Sequence, residues 1–80
     1  MDWKEKDNQL IKEFELGSFS DIVNALPEIG TVADGMNHHP DFEVYGYKHI
    51  KFKLQTHSEG KVTQKDHNLA KEIDRILSNN

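Results

Sequence analysis

Residues 47–56, with the sequence YKHIKFKLQT, decide the fold of this chain. Ile50, Phe52, Leu54 and Thr56 alternate with polar side chains along this stretch. Because successive side chains of a β-strand point to opposite faces of a sheet, the alternation predicts one strand over 47–56. Its apolar face is expected to pack on helices, while the face with histidine and lysine is expected to be more exposed to solvent.

Two helices are predicted from apolar residues that recur every three or four positions. The first covers 19–36, although Pro27 and Gly30 disfavour a helix interior by about 3 and about 1 kcal/mol. A kinked helix or two helical pieces are therefore expected, with Gly35 near the end. The second covers 64–77, and a frayed tail follows at 78–80. The apolar positions are Ile22, Leu26, Ile29, Ala33 and Met36, then Leu69, Ile73, Ile76 and Leu77.

Both helices begin with a pattern that resembles a capping box. Ser18 precedes Asp21 by three residues, and Thr63 precedes Asp66 by three residues. A carboxylate at the third helical position reaches back to the cap and meets the positive end of the helix dipole. Asp66 therefore has a structural explanation that requires no catalytic role.

Shorter apolar segments complete the predicted sheet. Strands are expected over 8–16 and 42–45, and Gly46 indicates a turn or bulge. Strands and helices without regular βαβ alternation indicate an α+β fold, in which an antiparallel sheet is covered on one face. The 80 residues contain no repeat or linker, so a single domain over 1–80 is expected. The core of so small a domain is marginal, and oligomerisation would stabilise it.

Composition excludes several classes of function. The chain has no cysteine, which rules out disulfides, thiolate metal sites and cysteine nucleophiles. Its net charge of −4 argues against nucleic acid as a ligand, because neutralising phosphates needs a basic face. No apolar run approaches the roughly 18 residues of a membrane span, and the N-terminus lacks the apolar segment of a signal peptide. We therefore expect a cytoplasmic location and no membrane association.

Histidine is the side chain that suggests chemistry, with five copies in the chain. Imidazole gives and takes protons near neutral pH. Pro40 disfavours helix at His39, so His38 is expected to end the first helix and His39 to start a loop. His57 follows the strand at 47–56, in a position where loops often carry functional groups. Each also has a purely structural interpretation, as a helix cap or a strand end. Asp34 lies one helical turn before His38, where the two side chains can meet.

Two other kinds of site compete for these histidines. A metal site is disfavoured because there is no His-Glu-x-x-His motif, and adjacent histidines cannot easily reach one ion from a helix end. A serine hydrolase is disfavoured because no Gly-x-Ser-x-Gly motif occurs. We therefore expect no bound metal.

The spacing of the polar residues resembles the signature of the pterin-4a-carbinolamine dehydratase family, which includes the dimerisation cofactor of a hepatocyte nuclear factor. The flanking residues 12–19 and 62–74 are similar to that family as well, so the resemblance covers about Trp3 to Leu77. The residues that carry the signature are Asp34, His38, His39, Pro40, Tyr47, His57 and Asp66.

The resemblance implies a four-stranded antiparallel sheet with helices packed on one face, assembled into homodimers or homotetramers. We expect this chain to lack the N-terminal helix that many members carry. The implied reaction is loss of water from a 4a-hydroxytetrahydropterin, such as 4a-hydroxytetrahydrobiopterin, to give quinonoid dihydropterin. That step recycles tetrahydrobiopterin after aromatic amino-acid hydroxylation, so a hydroxylase is the implied pathway partner. No metal or organic cofactor is needed.

The family's functional residues carry over one by one. His38, His39, His57 and Asp66 would be catalytic; His38, His39, Pro40, Thr56, His57, Ser58 and Glu59 would bind the pterin substrate; Asp34 and Tyr47 would support them. Which histidine is the acid and which the base stays open. The alternative is a non-catalytic pterin-binding or dimerisation module that acts through a protein partner, although such a module would not need the complete histidine set.

Overall fold

The computed structural model of the chain describes residues 2–78. Four strands form one antiparallel sheet in the order β1-β2-β4-β3, and two helices pack on one of its faces. The predicted α+β fold with a four-stranded antiparallel sheet is confirmed. In chain order the elements are β1 (Lys4–Lys6), β2 (Gln9–Glu15), α1 (Phe19–Met36), β3 (Asp41–Tyr45), β4 (His49–Leu54) and α2 (Gln64–Ser78).

The centre of the core is β4, as its alternation predicts. Ile50, Phe52 and Leu54 are buried beneath the helices. The ring of Phe52 lies 5.9 Å from the rings of both Phe14 and Phe42, which belong to the neighbouring strands β2 and β3. These aromatic contacts join the strands on the covered face of the sheet.

The strand is shorter than predicted at both ends, since β4 covers His49–Leu54 and Thr56 forms only an isolated bridge with Lys61. Gly46 and Tyr47 both have positive φ, at 56° and 55°, so the chain turns there and β4 begins only at His49. Gly46 thus marks the turn between β3 and β4, as expected.

The edge strand β1 was not predicted from its residues, because three charged side chains carry no apolar alternation. It is held by a two-residue turn, in which Asp7 and Asn8 have φ values of 53° and 64°. Positive φ at both positions is what a type I′ hairpin turn requires, and aspartate and asparagine tolerate it. Lys6 and Gln9 pair on either side of the turn.

Helix α1 runs without interruption through Pro27 and Gly30, so the expectation of two separate pieces is wrong. Its buried residues lie on both sides of the proline, including Ile22 and Ile29. Packing of both halves on one core offsets the hydrogen bond that proline cannot donate.

Asn37 ends α1, whereas Gly35 is still helical. Asn37 adopts the left-handed conformation with φ 51°. The amide of Asn37 donates to the Asp34 carbonyl, and the amide of His38 donates to the Ala33 carbonyl, each at 3.1 Å. This is the Schellman pattern of a helix C-terminus, and it turns the chain sharply before the two histidines.

Helix α2 buries the apolar face that was predicted for it, and its Ala70 and Asp66 are buried as well. Ser78, which was expected in the tail, is its last residue, and 79–80 lie outside the described residues. Within residues 2–78 there is no helix of the length and hydrophobicity that crossing a membrane requires.

Candidate active site

A cavity of about 300 Å³ opens where α1 ends, β3 begins and β4 ends. The antiparallel pairing of β3 with β4 brings those two strand ends together, with Asp41 opposite Lys53. We call it the histidine cavity, since three of its lining residues are histidines. It is lined by Asn37, His38, His39, Pro40, Asp41, Gln55, Thr56, His57, Ser58 and Lys65.

His38 is held by a buried carboxylate. Its Nε2 lies 2.6 Å from Oδ1 of Asp66, a side chain that is fully buried. The other oxygen of Asp66 accepts hydrogen bonds from the Thr56 hydroxyl at 2.8 Å and the Thr63 amide at 2.9 Å. The Thr63 contact is the predicted return bond of the capping box, so Asp66 caps α2 and orients His38 at once.

These contacts keep Asp66 ionised. Burial would raise the pKa of the Asp66 carboxyl, but hydrogen bonds from His38, the Thr63 amide and the Thr56 hydroxyl outweigh burial and lower that pKa. A buried carboxylate that remains charged fixes the orientation of the imidazole.

His39 pairs with Asp34, the carboxylate that was expected to meet His38. Its Nε2 lies 2.8 Å from Oδ1 of Asp34, and both side chains are exposed. The predicted contact between Asp34 and His38 is therefore wrong. The left-handed turn at Asn37 carries His38 off the helical face on which an i,i+4 pair would form.

His57 lies after the end of β4, whereas the other two histidines of the cavity follow the end of α1. Its Nε2 is 3.9 Å from Oδ2 of Asp41, and 67% of its side chain is exposed. That distance allows electrostatic attraction but no direct hydrogen bond. The ring of His57 is thus free to reorient, unlike the ring of His38.

The structure brings most of the predicted site residues together, with two exceptions. Tyr47 lies in the β3–β4 turn, at the opposite end of β4 from His57, and is 64% exposed. It does not line the histidine cavity, because the length of β4 separates the turn from the loop after the strand. Glu59 does not line the histidine cavity either; it lines an adjoining cavity together with Thr56, Ser58 and Lys65.

Sequence reasoning missed four residues that line the cavity: Asn37, Asp41, Gln55 and Lys65. Asn37 and Asp41 flank the His-His-Pro motif, and adjacency was the only signal that could have found them. Lys65 precedes Asp66 at the start of α2, where a lysine usually indicates only a solvated helix surface.

The arrangement does not form a ligand set for a metal ion. Among residues 2–78, no three histidine, aspartate or glutamate side chains converge as metal ligands. Each histidine of the cavity instead faces its own carboxylate, at 2.6, 2.8 and 3.9 Å. Imidazoles paired in this way are suited to proton transfer.

Comparison with known proteins identifies the family. The model of the family described as pterin 4 alpha carbinolamine dehydratase matches residues 1–76. The chain belongs to this family. A relative from Sulfolobus acidocaldarius, named "Putative pterin-4-alpha-carbinolamine dehydratase", is 45% identical over 74 residues, which span 92% of this chain and 80% of the relative. A relative of the same name from Sulfurisphaera tokodaii is 41% identical over 76 residues, 95% of this chain and 81% of that protein.

Solved structures of the pterin dehydratase fold agree with the architecture. The transcriptional coactivator/pterin dehydratase of Brucella melitensis superposes with a TM-score of 0.87 at 26% identity, over 94% of this chain and 81% of that one. A pterin dehydratase-like protein described as a RuBisCO assembly factor in the alpha-carboxysome superposes with a TM-score of 0.79 at 19% identity, over 96% and 90% of the two chains. The second likeness concerns the fold alone.

Proposed function

We propose that this chain catalyses the dehydration of a 4a-hydroxytetrahydropterin to quinonoid dihydropterin and water. The observation that carries the proposal is the placement of His38, His39 and His57 around one cavity, each facing a carboxylate, in a chain of the pterin dehydratase family. A protein that acts only as an oligomeric adaptor would not require three histidine–carboxylate pairs at one cavity.

The reaction needs two proton transfers. A base removes the proton from N5, and the electrons of the N–H bond form a double bond between N5 and C4a. The bond between C4a and its hydroxyl oxygen breaks, and an acid protonates the leaving hydroxyl so that it departs as water. The elimination is redox-neutral, so the proposal assigns no metal or organic cofactor. Acid–base catalysis of this kind contributes about 10²–10⁴-fold to a rate.

The different settings of the histidines support different roles. His38 is fixed by the ionised Asp66, which stabilises the imidazolium that forms when a base takes up a proton. We assign His38 as the base on this ground. His57 is exposed and lacks a direct hydrogen bond to Asp41, so it can reorient and exchange protons with water; we assign it as the acid. His39, with Asp34, borders the ligand and completes the pair of adjacent imidazoles.

The remaining cavity residues would bind the substrate. Pro40, Thr56 and Ser58 line the cavity together with the three histidines. Thr56 is buried and engaged with Asp66, so it shapes the wall of the cavity and supports the carboxylate. Ser58 is exposed and is available to the ligand.

Stopped-flow absorbance tests the proposal. The 4a-hydroxytetrahydropterin is generated in situ, and quinonoid formation is followed with and without catalytic amounts of protein. Acceleration that saturates with substrate supports the dehydratase. A folded protein that binds pterin without acceleration supports the alternative, a binding or dimerisation module that acts through a partner.

Self-association is part of the proposal. Phe19 and Val23 lie one turn apart on α1 and are 54% and 45% exposed, and such apolar surface is typical of an interface. We propose a homodimer or homotetramer, which sedimentation equilibrium would measure. The physiological role proposed is recycling of the pterin for an aromatic amino-acid hydroxylase.

A further inference from the structure

Two hydroxyl groups connect the buried carboxylate of Asp66 to the start of α2. The Thr56 hydroxyl lies 2.8 Å from Oδ2 of Asp66 and 2.6 Å from the hydroxyl of Thr63. The Thr63 oxygen in turn lies 3.3 Å from the amide nitrogen of Lys65, in the first turn of the helix. Because Thr63 does not line the histidine cavity, its hydroxyl can influence the histidines only through Thr56 and Asp66.

The direction of each hydrogen bond in this series follows from the charge of Asp66. An ionised carboxylate only accepts, so Thr56 donates its single hydroxyl proton to Asp66. The proton between the two hydroxyls must then come from Thr63, whose oxygen accepts from the Lys65 amide. All three bonds point their positive ends toward Asp66, and hydrogen bonds aligned in this way strengthen one another.

The ionised carboxylate also decides which nitrogen of His38 carries the proton of the neutral ring. Oδ1 of Asp66 accepts from Nε2 at 2.6 Å, so neutral His38 is the Nε2–H tautomer and its Nδ1 keeps a lone pair. Among residues 2–78, every buried side-chain nitrogen or oxygen has a hydrogen-bond partner; Nδ1 has none and is therefore accessible. Nδ1 is thus the atom of His38 that can take up a proton.

We propose that Thr63 is a positioning residue for His38: its hydroxyl keeps the Thr56 proton on Asp66 and so fixes His38 as the Nε2–H tautomer. This role rests on the proposed dehydratase function. Nδ1 would take the proton from N5 of the substrate, the electrons of that N–H bond would form the double bond to C4a, and the hydroxyl would leave as water with a proton from the acid. Without the Thr63 hydroxyl, Thr56 can turn its proton away from Asp66, which then holds the imidazole less firmly.

Replacement of Thr63 by alanine and by serine isolates the effect of its hydroxyl. We expect Thr63→Ala to lower kcat about tenfold, the effect of one hydrogen bond, and to leave KM within about twofold of the parent value. Thr63→Ser keeps the hydroxyl and should restore kcat. Ser18→Ala is the matched control, because Ser18 caps α1 by accepting from the Asp21 amide at 3.1 Å and does not line the histidine cavity. It removes a helix-cap hydroxyl in the same way and should leave kcat unchanged.

A double-variant cycle tests whether Thr63 acts through Thr56. Thr56→Val removes the intervening hydroxyl from a side chain of similar shape. In that background Thr63→Ala should change kcat by less than about twofold, because the connection to Asp66 is already broken. Two losses of kcat that multiply in full would show that Thr63 acts independently of Thr56 and would overturn the proposal.

Nitrogen-15 NMR spectra of the imidazole rings show the tautomer of His38 without turnover. With the ring neutral, we expect the Nε2–H form in the parent and in Thr63→Ser, and a mixture of both forms in Thr63→Ala. An Nδ1–H form in the parent, or an equal loss of kcat in Ser18→Ala and Thr63→Ala, overturns the proposal. A parent protein that does not accelerate dehydration overturns the proposed function alone if the tautomers respond as expected, and both proposals if they do not.

Discussion

His38 and Asp66 lie 28 residues apart in the chain and meet at 2.6 Å, Nε2 to Oδ1, at the point where α1 ends and α2 begins. Asp66 is fully buried there and also accepts from Thr56 and Thr63. One carboxylate thus joins the end of the first helix, the loop after β4 and the first turn of the second helix. Stability and the orientation of a proposed catalytic residue depend on the same side chain.

Asp66→Asn should destabilise the protein by about 3 kcal/mol, because an amide cannot accept all the hydrogen bonds and the buried pair loses its charge. Urea unfolding at neutral pH measures the change. Asp34→Asn is the control, since Asp34 is an exposed partner of His39 and its replacement should change the free energy of unfolding by about 0.5 kcal/mol or less. Similar losses in both variants would contradict the central role of Asp66.

The stabilisation by Asp66 should depend on pH in a defined direction. Folding lowers the pKa of this carboxyl, so its contribution is complete above the ordinary pKa of aspartate, about 4, and is lost as the pH falls through the lower folded pKa. The difference in unfolding free energy between the parent and Asp66→Asn should therefore shrink as the pH falls below about 4. A difference that grows on acidification would show that the pKa is raised instead.

The alternation of residues 47–56 was sufficient to predict the central strand. When one face of a strand is buried, every second side chain must be apolar, and this pattern is visible in the sequence. Edge strand β1 had no such signal, since neither of its faces is buried and its turn depends on the backbone of Asp7 and Asn8. The partner of His38 could not be predicted from local spacing. The helical i,i+4 rule pointed to Asp34, but the left-handed residue Asn37 redirects the chain and the true partner comes from α2.

His57→Ala should separate catalysis from stability. The side chain is 67% exposed and has no direct hydrogen bond, so the free energy of unfolding should change by about 0.5 kcal/mol or less. The dehydration rate should fall by about 100-fold or more if His57 is the acid. Thermal melts and stopped-flow rates on the same preparation give both quantities. A variant that keeps its full rate would remove His57 from the proposed mechanism.

His38→Ala should lose both activity and stability. Removing the imidazole leaves Oδ1 of the buried Asp66 without its donor, which costs about 2 kcal/mol. Rates are therefore compared at a temperature well below the melting point of the variant. An unchanged melting temperature would indicate that water replaces the imidazole at Asp66.

Asn37 should be replaceable by glycine but not by alanine. Its φ of 51° lies in the left-handed region, which costs a residue with a β-carbon about 1 kcal/mol and costs glycine almost nothing. Asparagine is the other residue that tolerates this conformation at a helix end. We expect Asn37→Ala to lower the free energy of unfolding by about 1 kcal/mol and Asn37→Gly to leave it equal or slightly higher. Equal losses in both variants would assign the effect to the amide side chain.

Trp3 reports directly on how the N-terminal strand is held. Its indole N–H donates to both oxygens of Asp74 at 3.1 Å, and Lys12 pairs with the same carboxylate at 2.8 Å. Asp74→Ala should lower the free energy of unfolding by about 1 kcal/mol, since the carboxylate is partly exposed and its ion pair is weakened by solvent. Because Trp3 is the one tryptophan of the chain, its fluorescence should shift to the red as the indole becomes wetter. Glu72→Ala, on the exposed side of the same helix, is the control and should leave the emission unchanged. If Asp74→Ala also leaves the emission spectrum unchanged, ring packing of Trp3 with Phe14 holds the strand by itself.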